Sequence, residues 1–515
     1  MFARGPLNPM KRSEGQDLVI RADASAHMGT GHVMRCLALA QAWQDAHGAA
    51  VLAMAREFPG LDARLKSTGV ERVRVSVEPG SADDAAQTAE LARQRNAAWV
   101  VVDGYDFGAQ YQRRIKQFRH SLLVIDDYGH AGSYHADFVL NQNIHADARL
   151  YEKREPYTRL LLGTRYVLLR REFLKWRGFK REIPEEARKV LVTLGGGDSD
   201  NATVKVVEAL QQVEIEGLEA VVVLGGGSRD PAELQALARG SRVPIRLVSN
   251  VTNMPDLMAW ADVAVSAAGI TSWELSFMAL PRIVMVLSEN QHPIAERLHA
   301  AGAAVNLGYH GPLSPDTIAR ALTALLTAPR VRAEMAQRGR ELVDGDGTDR
   351  VLAPLLSSRL RLRWVTEDDL RLLWEWANDP EVRAVSFASE SIPWEQHVQW
   401  FNLKTRDPRC ILWIAVNREG IPVGQVRFDI EGAEAVISTS LDRTFRGKGY
   451  GSAAIWLASQ ELFDVGDITA IHAYVKPGNE VSVRAFDKAG YRNVGMTKIR
   501  EHEAMHLVLR KDDRP

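Results

Sequence analysis

Two successive series of short apolar runs constrain this chain more than any other feature. Between Asp17 and about Gly163 the stretches DLVIRAD, AAVLAMA, RVRVSV, AAWVVVDGY, SLLVIDDY and DFVLNQN alternate with helical patterns. After a polar stretch, a second series follows: KVLVTLGGG, EAVVVLGGG, PIRLVSN, ADVAVSAAG, RIVMVLS and AAVNLG. A strand that is apolar along its length has both faces covered, so each series predicts a mainly parallel sheet between helical layers. Two doubly wound domains in tandem leave a cleft between them, the usual place for a ligand. After RGRELVDGDGTDRVLAPL the pattern changes, and CILWIAV, VGQVRFDI, EAVISTSL and ITAIHAYVK surround two strong helix patterns. The expected architecture is α/β: a frayed tail (1–16), Rossmann-like domains (17–170 and 171–345), a short linker (346–358) and an α+β domain (359–515).

Composition narrows the partners. Among 515 residues, 64 Lys and Arg balance 65 Asp and Glu, which gives no argument for nucleic acid or an anionic membrane as partner. Cys36 and Cys410 lie far apart in apolar contexts, which excludes a disulfide framework or a cysteine zinc site and fits a reducing cytoplasm. No apolar run approaches the roughly 20 residues that span a bilayer.

In the first domain DLVIRAD leads into MGTGHVMRCLALA, where Val33, Cys36, Leu37 and Ala40 recur on one helix face. His32 thus falls at a helix start, just after Gly31. Unpaired N–H groups there suit anions, and the positive end disfavours imidazolium, leaving His32 able to accept a proton. An ordinary helix-start residue is the other reading. Asp23, Tyr105 and Asn141 fall at strand ends, where they can bind a polar ligand or serve structure alone. The adjacent Asp126 and Asp127 point to opposite faces of a strand, so no metal is expected.

In the second domain VTLGGGDSDNATVKVVEAL places Gly195, Gly196 and Gly197 in a strand-to-helix turn, where backbone can approach a phosphate. ADVAVSAAGITSWELSFMALPRIVM places small residues, Ala267, Ala268 and Gly269, in an equivalent turn. Ile270 opens the helix, Thr271 and Ser272 add hydroxyls, and Glu274 lies about one turn in, where a carboxylate can hold a ribose diol. A capped helix with a solvated Glu274 is the alternative.

These turns resemble the nucleotide site of GT-B proteins that use UDP-sugars. With IRADAS…GTGHVMRCLALA, VVDGYDF, VIDDYGH…ADFVLNQN, LLGTRYVLLRREF, LVTLGGGD and SAAGITSWELSFMALPRIVMVLSENQ, spread over about residues 17–345, the resemblance narrows. The chain is similar to the UDP-sugar hydrolases of pseudaminic acid synthesis, which release UDP from UDP-2,4-diacetamido-2,4,6-trideoxy-β-L-altrose. The resemblance implies a GT-B-like pair of domains, His32 as the base that activates water, and nucleotide contacts at Ala268–Glu274 and Gly195–Gly197. Asp23, Gly31, Tyr105 and Asn141 then lie on the sugar side.

In the last third ISTSLDRTFRGKGYGSAAI leads a strand ending at Leu441 into Arg446, Gly447, Lys448, Gly449, Tyr450 and Gly451, then a helix. The spacing R-x-x-G-x-G directs backbone N–H groups at one anion. It resembles the pyrophosphate loop of GNAT acetyltransferases, which implies acetyl-CoA as co-substrate. KPGNEVSVRAFDKAGY resembles their second signature, with Asn479 and Ser482 near CoA. Phe486 stands where that family often has a tyrosine acid, so Tyr491, water or unassisted departure of thiolate remains. LLWEWANDPEVRAVSFASESIPWEQHVQWF resembles the front of GNAT enzymes that acetylate UDP-4-amino-sugars. Trp376, Asn378, Arg383, His397 and Trp400 fall at matching places, with His397 a candidate amine base; a Trp-rich core face accounts for them equally.

The expectation is a bifunctional UDP-amino-sugar enzyme. Its acetyltransferase domain makes the substrate that its hydrolase domains consume. A GT-B glycosyltransferase with an appended GNAT domain, or a nucleotide-sugar sensor with a protein acetyltransferase domain, fits the same motifs.

Overall fold

The computed structural model describes residues 17–25, 29–46, 48–56, 61–195, 202–225, 231–499 and 502–513. The expected tail, 1–16, lies outside them, as do Gly196 and Gly197. The first domain is a parallel sheet in the order β3-β2-β1-β4-β5-β6-β7. Its strands are β1 (Asp17–Ala22), β2 (Ala49–Met54), β3 (Glu71–Arg74), β4 (Ala97–Asp103), β5 (Leu122–Ile125), β6 (Phe138–Asn141) and β7 (Arg159–Leu162). The strand RLLL of β7 adds to the six expected runs. The second sheet, also parallel, has the order β10-β9-β8-β11-β12-β13. It contains β8 (Lys189–Thr193), β9 (Glu219–Leu224), β10 (Ile245–Ser249), β11 (Val263–Ala267), β12 (Arg282–Val286) and β13 (Val305–Tyr309). The buried runs of β1, β4, β8 and β11 occupy the sheet centres, as their composition requires.

The third sheet runs β14-β15-β16-β17-β18-β20-β19. Its strands are β14 (Leu360–Trp364), β15 (Cys410–Asn417), β16 (Pro422–Glu431), β17 (Glu434–Leu441), β18 (Ala470–Val475), β19 (Arg492–Ile499) and β20 (His502–Arg510). All neighbours are antiparallel except β17 and β18. The sequence left β14, β19 and β20 unread. β19 is an edge strand exposed along most of its length, so it carries no apolar alternation.

Eight helices place the sites: α1 (Gly31–Asp45), α2 (Thr271–Phe277), α3 (Gly347–Ser357), α4 (Leu370–Ala377), α5 (Pro380–Val385), α6 (Trp394–Arg406), α7 (Tyr450–Val465) and α8 (Glu480–Lys488). Residues 346–358, expected as a linker, hold α3, which is buried except at Asp349. Val351, Leu352, Leu355 and Leu356 join one apolar core that runs from Leu18, Trp43 and Trp99 to Trp413 and Trp456. Gly347 lets α3 touch the first domain, because a Cβ there would run into the backbone of Val167. Polar ties reinforce the junction. Trp99 Nε1 donates to Leu355 O at 3.0 Å, Arg159 to Gln460 at 2.6 Å, and Lys488 pairs with Asp349 at 2.8 Å. Among the described residues no helix is long and apolar enough to cross a membrane.

Candidate functional site

In the first sheet the strand order reverses between β1 and β4, and a crevice opens there at the strands' carboxyl ends. α1, following β1, carries His32 to this point; β4 ends on Asp103. His32 Nδ1 lies 2.6 Å from Asp103 Oδ1. Arg35, one turn along α1, donates Nε to Asp103 Oδ2 and Nη2 to Oδ1, both at 2.6 Å, and Nη1 to Asp127 Oδ1 at 2.7 Å. Asp127 also accepts from Asn143 Nδ2 at 2.7 Å and from the Tyr105 hydroxyl at 3.1 Å.

The charges here are settled by these contacts. Burial alone would push Asp103 upward, but Arg35 and His32 outweigh it and hold the carboxyl below its ordinary value. Asp127 is likewise held far down, burial being overcome chiefly by Arg35. Arg35 is raised, because the two carboxylates outweigh its own burial. An ionised Asp103 can only accept, so His32 Nδ1 carries a proton and Nε2 is the nitrogen left to accept one. The 3.2 Å approach of Arg35 Nη2 to His32 Nδ1 is then between two donors that share Asp103 as acceptor. Nε2 has no hydrogen-bond partner among the described residues. Asp103 and Arg35 were missed in the sequence because Asp103 reads as the last residue of an apolar strand and Arg35 as a polar position on an apolar helix.

The second sheet reverses between β8 and β11, and the turn after β11 meets the first domain. Gly195 has φ +84°, which suits glycine, and among the described residues a Cβ on it would meet nothing within 4 Å. Gly269 is similarly open, with only Gln291 Nε2 at 4.0 Å from a Cβ. Gly31 and Ile270 bring the two domains together: a Cβ on Gly31 would lie 2.9 Å from Ile270 Cδ1. Asn290 Nδ2 donates to the Tyr105 hydroxyl at 2.9 Å across the same cleft. The rings of His32 and Tyr105 meet edge-on at 5.0 Å, and Tyr128 lies 5.2 Å beyond Tyr105.

Other expected site residues are engaged elsewhere. Asp23 accepts from Arg21 at 2.7 Å and from the backbone N–H groups of Ala55 and Arg56, tying β1 to the end of β2. Buried Asn141 donates to Asp127 O and Tyr151 and accepts from Asn143 N–H, which orients the Asp127 loop. Asp126 faces away from Asp127 and accepts from Tyr134, Tyr151 and two backbone N–H groups. Ser272 turns its hydroxyl back toward Ala267 O at 3.4 Å. Glu274 accepts from Arg170 at 2.7 Å, so one of its oxygens is already paired. No group of three or more His, Cys, Asp or Glu side chains among the described residues is arranged to hold a metal ion.

In the third domain Gly447 and Gly449 take φ +75° and +79°, the left-handed conformations that bend the loop before α7. Arg446 does not offer its charge outward: it donates to Leu441 O and pairs with Asp379 at 3.1 Å and Glu381 at 2.7 Å, clamping the loop to α5. Lys448 donates to Thr444 O, and the Tyr450 ring packs edge-on against Phe445. Asn479 accepts from Ser482 N–H and donates to its hydroxyl, capping α8. Tyr491 is fully buried behind Phe486 with its hydroxyl on Ser459, and burial raises it, so it is no acid for a departing thiolate.

The front residues each have partners within the fold. Trp376 donates to Asp442, Asn378 bridges Trp374 O and Ile392, and Arg383 holds the carbonyls of Ala388 and Glu390. Trp400 lies under Arg427. Buried His397 binds Leu370 O at 3.1 Å and packs against Trp400, which removes it as an amine base.

Residues 359–492 match the family model of an acetyltransferase (GNAT) domain. The third domain has the GNAT acetyltransferase fold. Residues 190–346 match the C-terminal domain of glycosyltransferase family 28. The chain is 24% identical over 501 residues to an uncharacterized protein of Methanocaldococcus jannaschii, covering 95% of this chain and 99% of that protein. It is 28% identical over 251 residues to the spore coat polysaccharide biosynthesis protein SpsG of Bacillus subtilis, covering 48% and 73%. It is 24% identical over 200 residues to a UDP-2,4-diacetamido-2,4,6-trideoxy-beta-L-altropyranose hydrolase of Campylobacter jejuni, covering 38% and 67%. A nucleotide-sugar type of domain is thus joined to an acetyltransferase domain.

Proposed function

We propose that this chain is a bifunctional nucleotide-sugar enzyme of pseudaminic acid biosynthesis. Its first two domains hydrolyse UDP-2,4-diacetamido-2,4,6-trideoxy-β-L-altropyranose to free sugar and UDP. The observation that carries this reading is the His32–Asp103 pair, 2.6 Å apart, at the junction with the Gly269–Ile270 turn. Water attacks the anomeric carbon, its proton passes to His32 Nε2, and the bond to the diphosphate oxygen breaks. Asp103 steadies the imidazolium, as in other carboxylate–histidine pairs. UDP lies along the turns at Gly195 and Ala268–Glu274, with Arg170 presenting the second oxygen of Glu274 to the ribose. Tyr105 lies at the sugar side of His32. The partial hydrolase relative supports the same chemistry.

The GNAT domain transfers acetyl from acetyl-CoA to the 4-amino group of the UDP-amino-sugar precursor. The loop from Leu441 to Gly451 receives the pyrophosphate on its backbone, and the Asn479–Ser482 cap lies beside it. The free thiols of Cys36 and Cys410 suit a reducing cytoplasm. Mass spectrometry of full-length protein given acetyl-CoA and UDP-4-amino-4,6-dideoxy-β-L-AltNAc tests both steps. The expected result is gain of one acetyl group followed by UDP release, with only the release lost in His32→Ala. If UDP stays attached when the diacetamido sugar is supplied directly, the hydrolase reading fails; if UDP leaves only with an added sugar acceptor, a glycosyltransferase replaces it.

A further inference from the structure

β17 and β18 pair only through Glu434↔Ala470, Ala435↔Ile471 and Val436↔His472. Beyond that point β17 stays on β16 as far as Leu441, and β18 stays on β20 as far as Val475. The two strands therefore part after His472 and open a V whose mouth lies toward the Gly447–Gly449 loop. Ile471, Ala473 and Val475 are buried in the core shared with α7, so His472 and Tyr474 project from the other face of the sheet. Leu507 and Leu509 are buried in that core too, which puts His506 on the same face as His472.

From the apex of the V, where His472 sits, these side chains form one chain of contacts that runs from β17 across β18 to β20. His472 Nδ1 lies 2.9 Å from His506 Nε2, and the two rings stack at 5.1 Å. Tyr474 also stacks on His506, at 4.8 Å. His472 Nε2 lies 3.2 Å from Glu434 Oε2. Nε2 makes no hydrogen bond there, but the Glu434 carboxylate beside it favours the proton of His472 on that nitrogen, and Nδ1 then accepts from His506 Nε2–H. The nitrogen left over is Nδ1 of His506, which has no hydrogen-bond partner among the described residues. Burial, then the neighbouring His472, lowers His506 from its ordinary value, against an opposing pull from Glu434; Tyr474 is raised by burial and by Glu434 and Glu431. The end of α5 and the segment after it meet the same strands: Phe387 packs against His502 at 5.9 Å, and Lys476 reaches the carbonyls of Ala384 and Ser386.

We propose that His506, positioned by His472 and Glu434, is the base that deprotonates the acceptor amine at the apex of the V. As the amine nitrogen bonds to the thioester carbonyl carbon, its proton passes to His506 Nδ1. The C–S bond breaks and CoA leaves as thiolate, taking a proton from solvent, since neither Phe486 nor Tyr491 can supply one. The inference rests on the acetyltransferase half of the proposed function. It is independent of which primary amine is accepted.

The test is thiol release by the full-length protein across pH, with the UDP-4-amino-sugar and a panel of simpler primary amines as acceptors. Failure with the nucleotide sugar alone, while another amine is acetylated, refutes the substrate assignment and leaves His506 to be judged on that amine. His506→Ala should lower kcat by roughly 10²–10⁴ near neutral pH with acetyl-CoA affinity unchanged, and added imidazole should restore part of the rate. His472→Gln and Glu434→Gln should shift the acidic limb of the pH profile while retaining acetyl-CoA affinity. A His506→Ala enzyme that binds acetyl-CoA normally and keeps kcat within about threefold, with an unaltered pH profile, overturns the proposal.

Discussion

At the residue scale, one guanidinium organises the first site. Arg35 holds Asp103 and Asp127 ionised, and Asp103 in turn sets the tautomer of His32. The place of His32 at a helix start was legible in the local pattern, whereas Asp103 needed the fold to bring β4 beside β1. Asp103→Asn preserves shape but can donate to Nδ1, turning the lone pair away from the cleft. UDP release should fall by roughly 10²–10⁴ with substrate KM little changed, measured by steady-state kinetics. Acid should also undo the network. Both carboxylates lie below the unfolded value of about 3.9, so their stabilisation is complete above that pH and is lost as pH falls through their folded values. Thermal melting should therefore be level from about pH 7 to 5 and drop below about pH 4, less steeply in Asp127→Asn, read by circular dichroism.

At the element scale, the segment that reads as a boundary behaves as core. GTDRVLAPLLS has the apolar content of a buried helix, but nothing in its local pattern says which domain it packs on. Contact with Val167 and Trp99 of the first domain on one side, and the Lys488–Asp349 pair and a core shared with Trp456 of the third domain on the other, makes α3 a splint between domains. Gly347→Ala forces α3 off the first domain and should cost on the order of 2–3 kcal/mol in urea unfolding. Gly449→Ala meets two obstacles, φ +79° and Leu356 Cδ1 at 2.7 Å from the new Cβ. It should destabilise by about 1–2 kcal/mol and weaken acetyl-CoA binding. Adding Leu356→Ala should recover the steric share and leave the backbone share, a separation that calorimetric titration can read. Arg446 shows the same limit of local reading, because its charge is matched by Asp379 and Glu381, over sixty residues earlier in the chain.

At the scale of the whole molecule, the acetyltransferase is built onto the first domain through one continuous apolar core. The two should unfold together. Saturating acetyl-CoA at 100 times Kd adds about 2.7 kcal/mol to whatever unfolds with its site. Amide hydrogen exchange in β4, far along the chain from the CoA loop, should slow accordingly; protection confined to β14–β20 would mean that the domains unfold separately. The sequence alone determined the three-part architecture, the helix start at His32 and the bends at Gly195, Gly447 and Gly449, because these depend on hydrophobic period and on backbone freedom within a few consecutive residues. The tertiary structure decided the rest: the Asp103 partner of His32, the structural duties of Asp23, Asn141 and His397, the splinting helix and the His472–His506 pair. Each depends on side chains that meet across strands and helices far apart in the chain, and a charge or a lone pair is assigned only when its partner is in place.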